Sequence, residues 1–292
     1  MAALLSPKLL KTLARLRLHS PTYVSSSHRG ESRNRRRGSS VEFSDYREYE
    51  PGDDFRHIDW NIYHRLDRLF VRLYTEEQSR SLNVLVDTSE SMNFGNPPKV
   101  EYAKRVGAAL SYVALWSGDE ARVGSAAAAL TWKTPRWRGR HRASALFSAL
   151  DNLTAAGLTD LTAAMVHLAR SKQPPGNVTV LISDLLDPNW ESALNALAGL
   201  RGSPVLIHLL DAPDLVPAIV GEVELIDSET GERFTISVDP AVLDSFRTKA
   251  AEWAARVREQ CLKLGIGCYQ LDTSFDIEAF VLGTLREGGL IR

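Results

Sequence analysis

Oxygen-bearing side chains occur at three places in the sequence where they could do chemistry together. Asp87, Ser89 and Ser91 alternate directly after the apolar stretch NVLV, Thr159 lies within AAGLTDLTAAM, and Asp184 ends VTVLISD. Carboxylates and hydroxyls are hard ligands that suit Mg²⁺ or Mn²⁺, whereas zinc favours the thiolates and imidazoles that these stretches lack. Because D-x-S-x-S lets a tight loop direct alternate side chains at one point, we predict a divalent metal site formed by these five residues.

Each of these residues also has a purely structural explanation. Ser91 or Thr159 could cap a helix, and Asp184 could cap a turn. Thr154 and Thr162 lie near enough in the sequence to take the place of Thr159. The spacing of the residues alone leaves these alternatives open.

The elements that must position these side chains alternate between strands and helices from residue 81 onward. Continuous apolar stretches predict strands at 82–87, 122–129, 178–183, 204–210 and 265–271. Helical periodicity predicts helices at 99–117, 142–154, 160–171, 190–200 and 240–264. This alternation indicates an α/β fold with a doubly wound, mainly parallel sheet that is covered on both faces. Ligands of such sheets bind beyond the carboxyl ends of the strands, which is where the candidate metal ligands fall.

Two β-hairpins and one long helix are inserted in this pattern. One hairpin is predicted near TWKTPRWRG, and the other is predicted in EVELIDSETGERFTISV with its turn at Thr230–Gly231. The long helix begins at Asp239 and Pro240. One stripe of this helix is expected to pack in the core, and it consists of Leu243, Phe246, Ala250, Trp253, Val257, Cys261 and Leu264.

The overall composition is that of a globular protein without a strong charge bias. The 292 residues carry a formal net charge of −1, although residues 1–40 contain nine Lys or Arg and a single Glu. The two cysteines, Cys261 and Cys268, have neither zinc-site nor C-x-x-C spacing, which favours a reducing compartment. No apolar stretch approaches the roughly 20 residues of a membrane span. We therefore expect a cytoplasmic protein without a membrane span.

The basic N-terminal region is predicted to form a short helix and a linker. Ser6 and Pro7 are typical of a helix start, and leucines follow on one face, so the helix is expected to dock on the main body. Residues 19–40 are rich in Ser and Arg and nearly lack core-forming side chains. Arg35, Arg36 and Arg37 could neutralise phosphates, but no aromatic residues interleave with them to stack bases. We do not expect nucleic-acid binding.

Two sets of motifs resemble known protein families. DTSESM, GLTDL and LISD resemble the metal-ion-dependent adhesion site (MIDAS) of von Willebrand factor A domains, whose fold is Rossmann-like. VEFSDYREYEPGDDFRHIDWNIYHR resembles the signature of the bacterial "domain of unknown function 58" family, and the similarity extends from about residue 28 to the C-terminus. The resemblance implies a basic helix and linker at 1–40, a signature segment at 41–80 that packs on the main domain, and a von Willebrand factor A-like domain at 81–292.

The resemblance to this family also implies partners. Its members often accompany MoxR-type AAA+ ATPases, and many carry transmembrane helices, so this chain resembles the shorter cytoplasmic branch. A client protein, not identified by the sequence, would supply an Asp or Glu that completes the shell of the metal ion. Asp53, Arg56, Asp59 and Trp60 form a candidate docking surface for the ATPase. They could instead form a structural clasp in which Arg56 pairs with Asp53 or Asp59.

The expected function is therefore that of a non-catalytic, metal-dependent adaptor or cofactor of such an ATPase, acting in the assembly or activation of a protein complex. The alternative is a Mg²⁺-dependent phosphatase-like hydrolase that uses Asp87 and Asp184. A haloacid-dehalogenase-like phosphatase would require a second Asp two residues after Asp87, where this chain has Ser89. The sequence contains neither a G-x-x-x-x-G-K-[ST] loop nor a G-x-S-x-G elbow, so we expect no catalysis.

Overall fold

The computed structural model of the protein describes residues 4–19, 41–76, 80–171, 173–174, 176–211, 214, 221–227 and 231–292. The chain divides into a smaller unit, Val24–Ser79, and a larger unit that combines Met1–Tyr23 with Arg80–Arg292. Residues 20–40, which hold most of the predicted basic linker, lie outside the described residues, as does Thr230 of the predicted turn. The predicted domain boundaries, and the packing of residues 41–80 on the main domain, stay predictions.

The helices and strands of the described residues follow one another in a mixed order. The strands are β1 (Val41–Glu48), β2 (Phe70–Glu76), β3 (Ser81–Asp87), β4 (Glu120–Ala126), β5 (Leu130–Trp132), β6 (Trp137–Arg138), β7 (Asn177–Ser183), β8 (Ser203–Leu210), β9 (Gly221–Ile226), β10 (Arg233–Val238) and β11 (Gly267–Asp272). The helices are α1 (Pro7–Leu13), α2 (Trp60–Leu66), α3 (Lys99–Trp116), α4 (Ala143–Asp151), α5 (Leu161–Arg170), α6 (Trp190–Ala198), α7 (Pro240–Leu264), α8 (Ile277–Ala279) and α9 (Leu285–Glu287). A π-helical turn, Phe280–Thr284, connects α8 to α9.

The larger unit is built on one sheet whose strand order is β11-β8-β7-β3-β4-β5, with β6 also pairing with β4. All pairs from β11 to β4 are parallel, and β5 and β6 are antiparallel to β4. From β3 the chain first adds β4 on one side and later adds β7 on the other side. The carboxyl ends of β3 and β7 therefore meet at the point where the sheet changes direction, and this point is the usual ligand position in such folds.

Two apolar clusters cover the two faces of this sheet. Every residue of β3 and β7 is buried, as the continuous apolar sequence predicts. Val84 and Val86 join the cluster that includes α1, α3 and α4, whereas Leu85 joins the cluster that includes α5 and α6. Side chains alternate between the faces of a strand, so one strand supplies both layers. The predicted α/β, doubly wound and mainly parallel fold is confirmed.

The N-terminal helix α1 packs on the same face as α3. The Ser6 hydroxyl accepts a hydrogen bond from the Leu9 amide at 3.1 Å and so caps the helix, as predicted. Leu9 and Leu13 are wholly or almost wholly buried in the cluster that contains α3. The Arg17 amide also donates to the Arg292 carbonyl at 2.7 Å, which ties the two ends of the larger unit together.

The first predicted hairpin forms between β4 and β5. Residues 130–138 do form two short strands, but β5 and β6 do not pair with each other. Both pair with β4, β5 along Gly124–Ala126 and β6 at Glu120 and Ala121. The outer edge of β4 offers hydrogen-bonding groups to both segments, to β5 across a short loop and to β6 further along the chain. The second hairpin, β9–β10, forms as a separate antiparallel pair.

The predicted core stripe of α7 is correct only in the second half of the helix. Asp239 caps the first turn and the helix spans Pro240–Leu264, in agreement with the prediction. Ala250, Val257 and Cys261 are buried, but Phe246 is 43% exposed. The amphipathic pattern continues past the part of the helix that the sheet and α6 cover, so Phe246 in the first turns is not buried by the described part of the larger unit.

The smaller unit is a two-stranded antiparallel sheet with a helical connection. β1 and β2 pair along their length, with a bulge between Phe43 and Asp45. Asp59 accepts a hydrogen bond from the Asn61 amide at 2.9 Å and so caps α2.

In the part of the chain that the structure describes, no helix combines the length and hydropathy needed to cross a bilayer.

Candidate metal centre

The first group of predicted ligands lies in a tight loop at the end of β3. Asp87 is the last residue of the strand, and a 3₁₀ turn, Glu90–Asn93, follows it. The Ser89 amide and hydroxyl donate to Asp87 Oδ1 at 2.9 and 2.7 Å. Ser89 Oγ lies 3.0 Å from Ser91 Oγ. The alternate spacing therefore does bring the carboxylate and the two hydroxyls together.

The neighbouring strand β7 adds a second carboxylate to this group. Ser91 Oγ donates to Asp184 Oδ1 at 3.3 Å. Ser183 Oγ donates to Asp87 Oδ2 at 2.6 Å, so a hydroxyl bridges the ends of the two strands. Asp184 Oδ1 also accepts from the Leu186 amide at 3.2 Å, and this bond supports the turn that follows the strand. Four of the five predicted ligands thus belong to one buried hydrogen-bonded chain.

Thr159 is placed beside this chain by backbone contacts of its loop. The Glu90 amide donates to the Gly157 carbonyl at 3.1 Å, and the Ala156 amide donates to the Thr88 carbonyl at 2.8 Å. Thr159 itself is partly buried. These contacts bring the loop of Thr159 against the loop of the first three ligands.

The capping explanations and the alternative threonines can be compared with this geometry. Asp160, not Thr159, caps α5, because its carboxylate accepts from the Ala163 amide at 2.8 Å. Thr154 is exposed. Thr162 lies in the first turn of α5, where its buried Oγ1 has no hydrogen-bond partner. Thr162 therefore remains an alternative to Thr159.

Burial of two carboxylates at one place gives the site its electrostatic character. Burial and, secondarily, the negative charge of Asp184 raise the pKa of Asp87 to about 7. Hydrogen bonds from Ser183 and Ser89 act in the opposite direction. A cation placed between these carboxylates would relieve their repulsion.

The residues present fit a hard divalent cation. The fit rests on the donor set, because its two carboxylates and three hydroxyls are the hard oxygen ligands that Mg²⁺ and Mn²⁺ prefer. Asp184 Oδ1 faces the other candidate ligands through Ser91, whereas Oδ2 faces the Lys99 ammonium at 2.8 Å. Among the described residues, no three His, Cys, Asp or Glu side chains gather into a metal-binding group. The candidate set differs from such a group because three of its five members are hydroxyls. Those oxygens would hold an ion without neutralising it.

Two groups at the site were missed by the sequence analysis. Ser183 immediately precedes Asp184, and this adjacency of a hydroxyl to a strand-end carboxylate was an available signal. Lys99 is fully buried, and its Nζ lies 2.8 Å from Asp184 Oδ2. Its position in the first turn of α3 is typical of a solvated residue, so no local pattern indicates its burial.

The four candidate docking residues of the smaller unit divide into two pairs. Asp53 forms an ion pair with Arg47 at 2.7 Å, whereas the sequence suggested Arg56 as its partner. Asp59 is buried and caps α2. Arg56 and Trp60 are exposed, Trp60 by 57%. Asp53 and Asp59 therefore stabilise the fold of the segment. Of the four residues, Arg56 and Trp60 are exposed and can contact a partner.

A mainly parallel α/β sheet with D-x-S-x-S at its point of reversal defines a von Willebrand factor A-like protein. The family model described as "Protein of unknown function DUF58" matches residues 45–256. The chain belongs to this family.

Two mycobacterial proteins are similar to this chain in sequence. The uncharacterized protein Rv1480 of Mycobacterium tuberculosis is 32% identical over 245 residues, which cover 82% of this chain and 77% of the relative. The uncharacterized protein MAV169 of Mycobacterium avium is 31% identical over 148 residues, covering 49% of this chain and 86% of that protein.

Two solved structures have a similar fold at low sequence identity. BatB from Bacteroides thetaiotaomicron, a conserved hypothetical protein, is 14% identical with a TM-score of 0.42, over 72% of this chain and 98% of that chain. A von Willebrand factor type A protein from Catenulispora acidiphila is 17% identical with a TM-score of 0.35, over 63% of this chain and 44% of that chain.

Proposed function

We propose that this protein is a non-catalytic binding module whose capture of a partner depends on Mg²⁺ or Mn²⁺. The observation that carries this proposal is the buried chain of hydrogen bonds that joins Asp87, Ser89, Ser91 and Asp184 at the reversal point of the sheet. The hydroxyls would hold a divalent ion without neutralising it, and the carboxylates, acting through water, would neutralise it only partly. Such an ion supplies an electrophilic centre with an open position for an oxygen from outside, for which an Asp or Glu of a client protein is suited.

The alternative function as a phosphatase-like hydrolase is less well supported by the same geometry. A nucleophilic Asp87 needs a free oxygen that can approach a phosphorus atom. Both of its oxygens accept hydrogen bonds, from Ser89 and from Ser183, and the residue is 0% exposed. This arrangement favours a positioning role for Asp87 over attack on a substrate.

The proposed partners are a MoxR-type AAA+ ATPase and a client protein, and the proposed compartment is the cytoplasm. The family to which the chain belongs supports the ATPase as partner. Cys261 and Cys268 are both free thiols, and this state supports a reducing compartment. The role would be that of an adaptor or cofactor in the assembly or activation of a protein complex.

The proposal is tested by measuring metal binding and ATPase capture with the same purified protein. Isothermal titration with Mg²⁺ and Mn²⁺ is expected to give one site in the wild type and none in Asp87→Asn, because this change removes a ligand charge and preserves side-chain volume. Capture of a purified MoxR-type ATPase is expected with Mg²⁺ and is expected to be lost with EDTA or in Asp87→Asn.

Ser111→Ala is the matched control, because the Ser111 hydroxyl is buried in α3 without a hydrogen-bond partner. This variant should bind metal and ATPase as the wild type does. Capture that is equal with Mg²⁺ and with EDTA would contradict metal dependence. Phosphatase turnover that disappears in Asp87→Asn would instead establish the hydrolase.

A further inference from the structure

Lys99 carries a positive charge in the interior of the larger unit. It is the first residue of α3 and is 0% exposed, and its amide donates to the Phe94 carbonyl at 2.9 Å. Lysine is almost never fully buried unless its charge is paired, since loss of hydration is costly. The neighbours of the ammonium group therefore determine what this residue does.

The Lys99 ammonium lies between two carboxylates. Its Nζ is 2.8 Å from Asp184 Oδ2 and 2.7 Å from Asp214 Oδ2, and it donates a hydrogen bond to the latter. Burial lowers the pKa of Lys99, but Asp184 and Asp214 raise it, and the net shift is upward, so the group remains charged. Among the described residues, these are the two acids with which Lys99 forms ion pairs.

The two oxygens of Asp184 therefore face different groups. Oδ1 accepts from Ser91, on the side of the other candidate metal ligands, and Oδ2 contacts Lys99. Asp214 differs from Asp184 because its side chain is 24% exposed and its ion pair, among the described residues, is with Lys99. A single carboxylate is thus shared between the metal-binding side and an ammonium group.

An ammonium group and a divalent ion compete for the negative charge of a shared carboxylate. The ammonium draws charge from Asp184, and it also repels a second cation at short range in a buried environment, where screening is weak. Asp214 acts in the opposite sense, because it holds the same ammonium from the other side and neutralises part of its charge.

We propose that Lys99 is an internal counter-ion of Asp184 that opposes divalent metal binding, and that Asp214 weakens this opposition. The inference rests on the metal site of the proposed function and adds a control of its affinity. A metal-free site would then keep a native structure, because Lys99 compensates the Asp184 charge. A bound ion would retain a stronger attraction for an outside carboxylate, because Asp184 is partly neutralised.

The test compares Mg²⁺ and Mn²⁺ affinities of the full chain by isothermal titration. Lys99→Met retains the apolar stem and removes the charge, and should tighten binding at least about tenfold. Asp214→Asn leaves Lys99 with Asp184 alone and should weaken binding by a similar factor. Lys104→Met is the control, because Lys104 lies on the same helix and pairs with Glu101 at 2.6 Å. The metal affinity of Lys104→Met should equal that of the wild type.

The opposite signs expected for Lys99→Met and Asp214→Asn separate this inference from a merely structural role. If Lys99 only anchors α3, the Asp214→Asn affinity will match the wild type, and the inference is overturned. The inference also fails if Lys99→Met binds metal no more tightly than the wild type does. If Lys99→Met does not fold, the Asp214→Asn affinity alone decides.

The outcome for the wild type tests the proposed function separately. If the wild type binds metal and the variants have the same metal affinity, the proposed function stands and the role of Lys99 is rejected. If neither the wild type nor any variant binds Mg²⁺ or Mn²⁺, the metal site itself is rejected. Binding that appears only in Lys99→Met supports the counter-ion and contradicts metal dependence in the wild type.

Discussion

At the scale of single residues, Ser183 determines how Asp87 is held. Its hydroxyl donates to Asp87 Oδ2 at 2.6 Å and accepts from the Leu185 amide at 2.9 Å. It therefore connects the carboxylate at the end of β3 to the backbone that follows β7. A carboxylate that accepts hydrogen bonds on both oxygens is held in one orientation.

We expect Ser183→Ala to lower the free energy of unfolding by about 1–3 kcal/mol, because a buried carboxylate oxygen loses its donor. Denaturant unfolding without divalent ions at neutral pH measures this change. Ser111→Ala, which removes a buried hydroxyl without a partner, should change stability by less than about 1 kcal/mol. Equal losses in the two variants would show that the bond to Asp87 contributes nothing particular.

At the scale of elements, the segment between β1 and β2 presents a small exposed surface. Asp53 and Asp59 have internal partners, and they hold the turn and α2 in place. Phe55 and Trp60 are exposed by 65% and 57%, and Arg56 lies between them. Exposed aromatic residues beside an arginine have the composition of interface hot spots.

Trp60→Ala is expected to weaken binding to the MoxR-type ATPase by about 2 kcal/mol, or roughly 30-fold, and Arg56→Ala by a smaller factor. Surface plasmon resonance with the purified ATPase measures the affinity of both variants. Leu66→Ala is the control, because Leu66 is 60% exposed near the end of the same helix and is not part of the candidate surface. An unchanged affinity in Trp60→Ala would remove this segment from the docking surface.

At the scale of the whole molecule, His208 couples stability to pH. It is 0% exposed in β8, and its Nε2 lies 3.2 Å from the Asp184 carbonyl. Burial lowers the pKa of His208 to about 4, although the Asp184 carbonyl and carboxylate act in the opposite direction. The unfolded chain, with a histidine pKa of about 6.5, binds more protons between these two values. Stability from this group is therefore complete above pH 6.5 and is lost as pH falls toward 4.

We expect the wild type to lose up to about 3 kcal/mol through His208 between pH 6.5 and pH 4. His208→Gln has no titrating group at this position, so its stability relative to the wild type should improve as pH falls. Unfolding of both proteins at several pH values, without divalent ions, measures the difference. A difference that does not vary with pH would show that His208 is charged in the folded protein or titrates normally.

Some elements of the fold could be predicted from the sequence, and others could not. The continuous apolar sequences of β3 and β7 and the capped start of α7 determine those elements, because burial and capping act over a few neighbouring residues. The β4–β5 hairpin is equally local, whereas the pairing of β6 with the start of β4 is not encoded by a turn pattern. The exposure of Phe246 depends likewise on where the sheet ends, which no helical period encodes.

The sequence by itself determined the α/β class and the alternate oxygens of Asp87, Ser89 and Ser91, because both follow from short-range periodicity. Only the tertiary structure decided that Ser183 would bridge two strands and that Lys99 would be buried against Asp184. These contacts join residues more than 80 positions apart. Such residues become neighbours only when strand order and helix packing have been established, and the electrostatics of the site arise from that proximity.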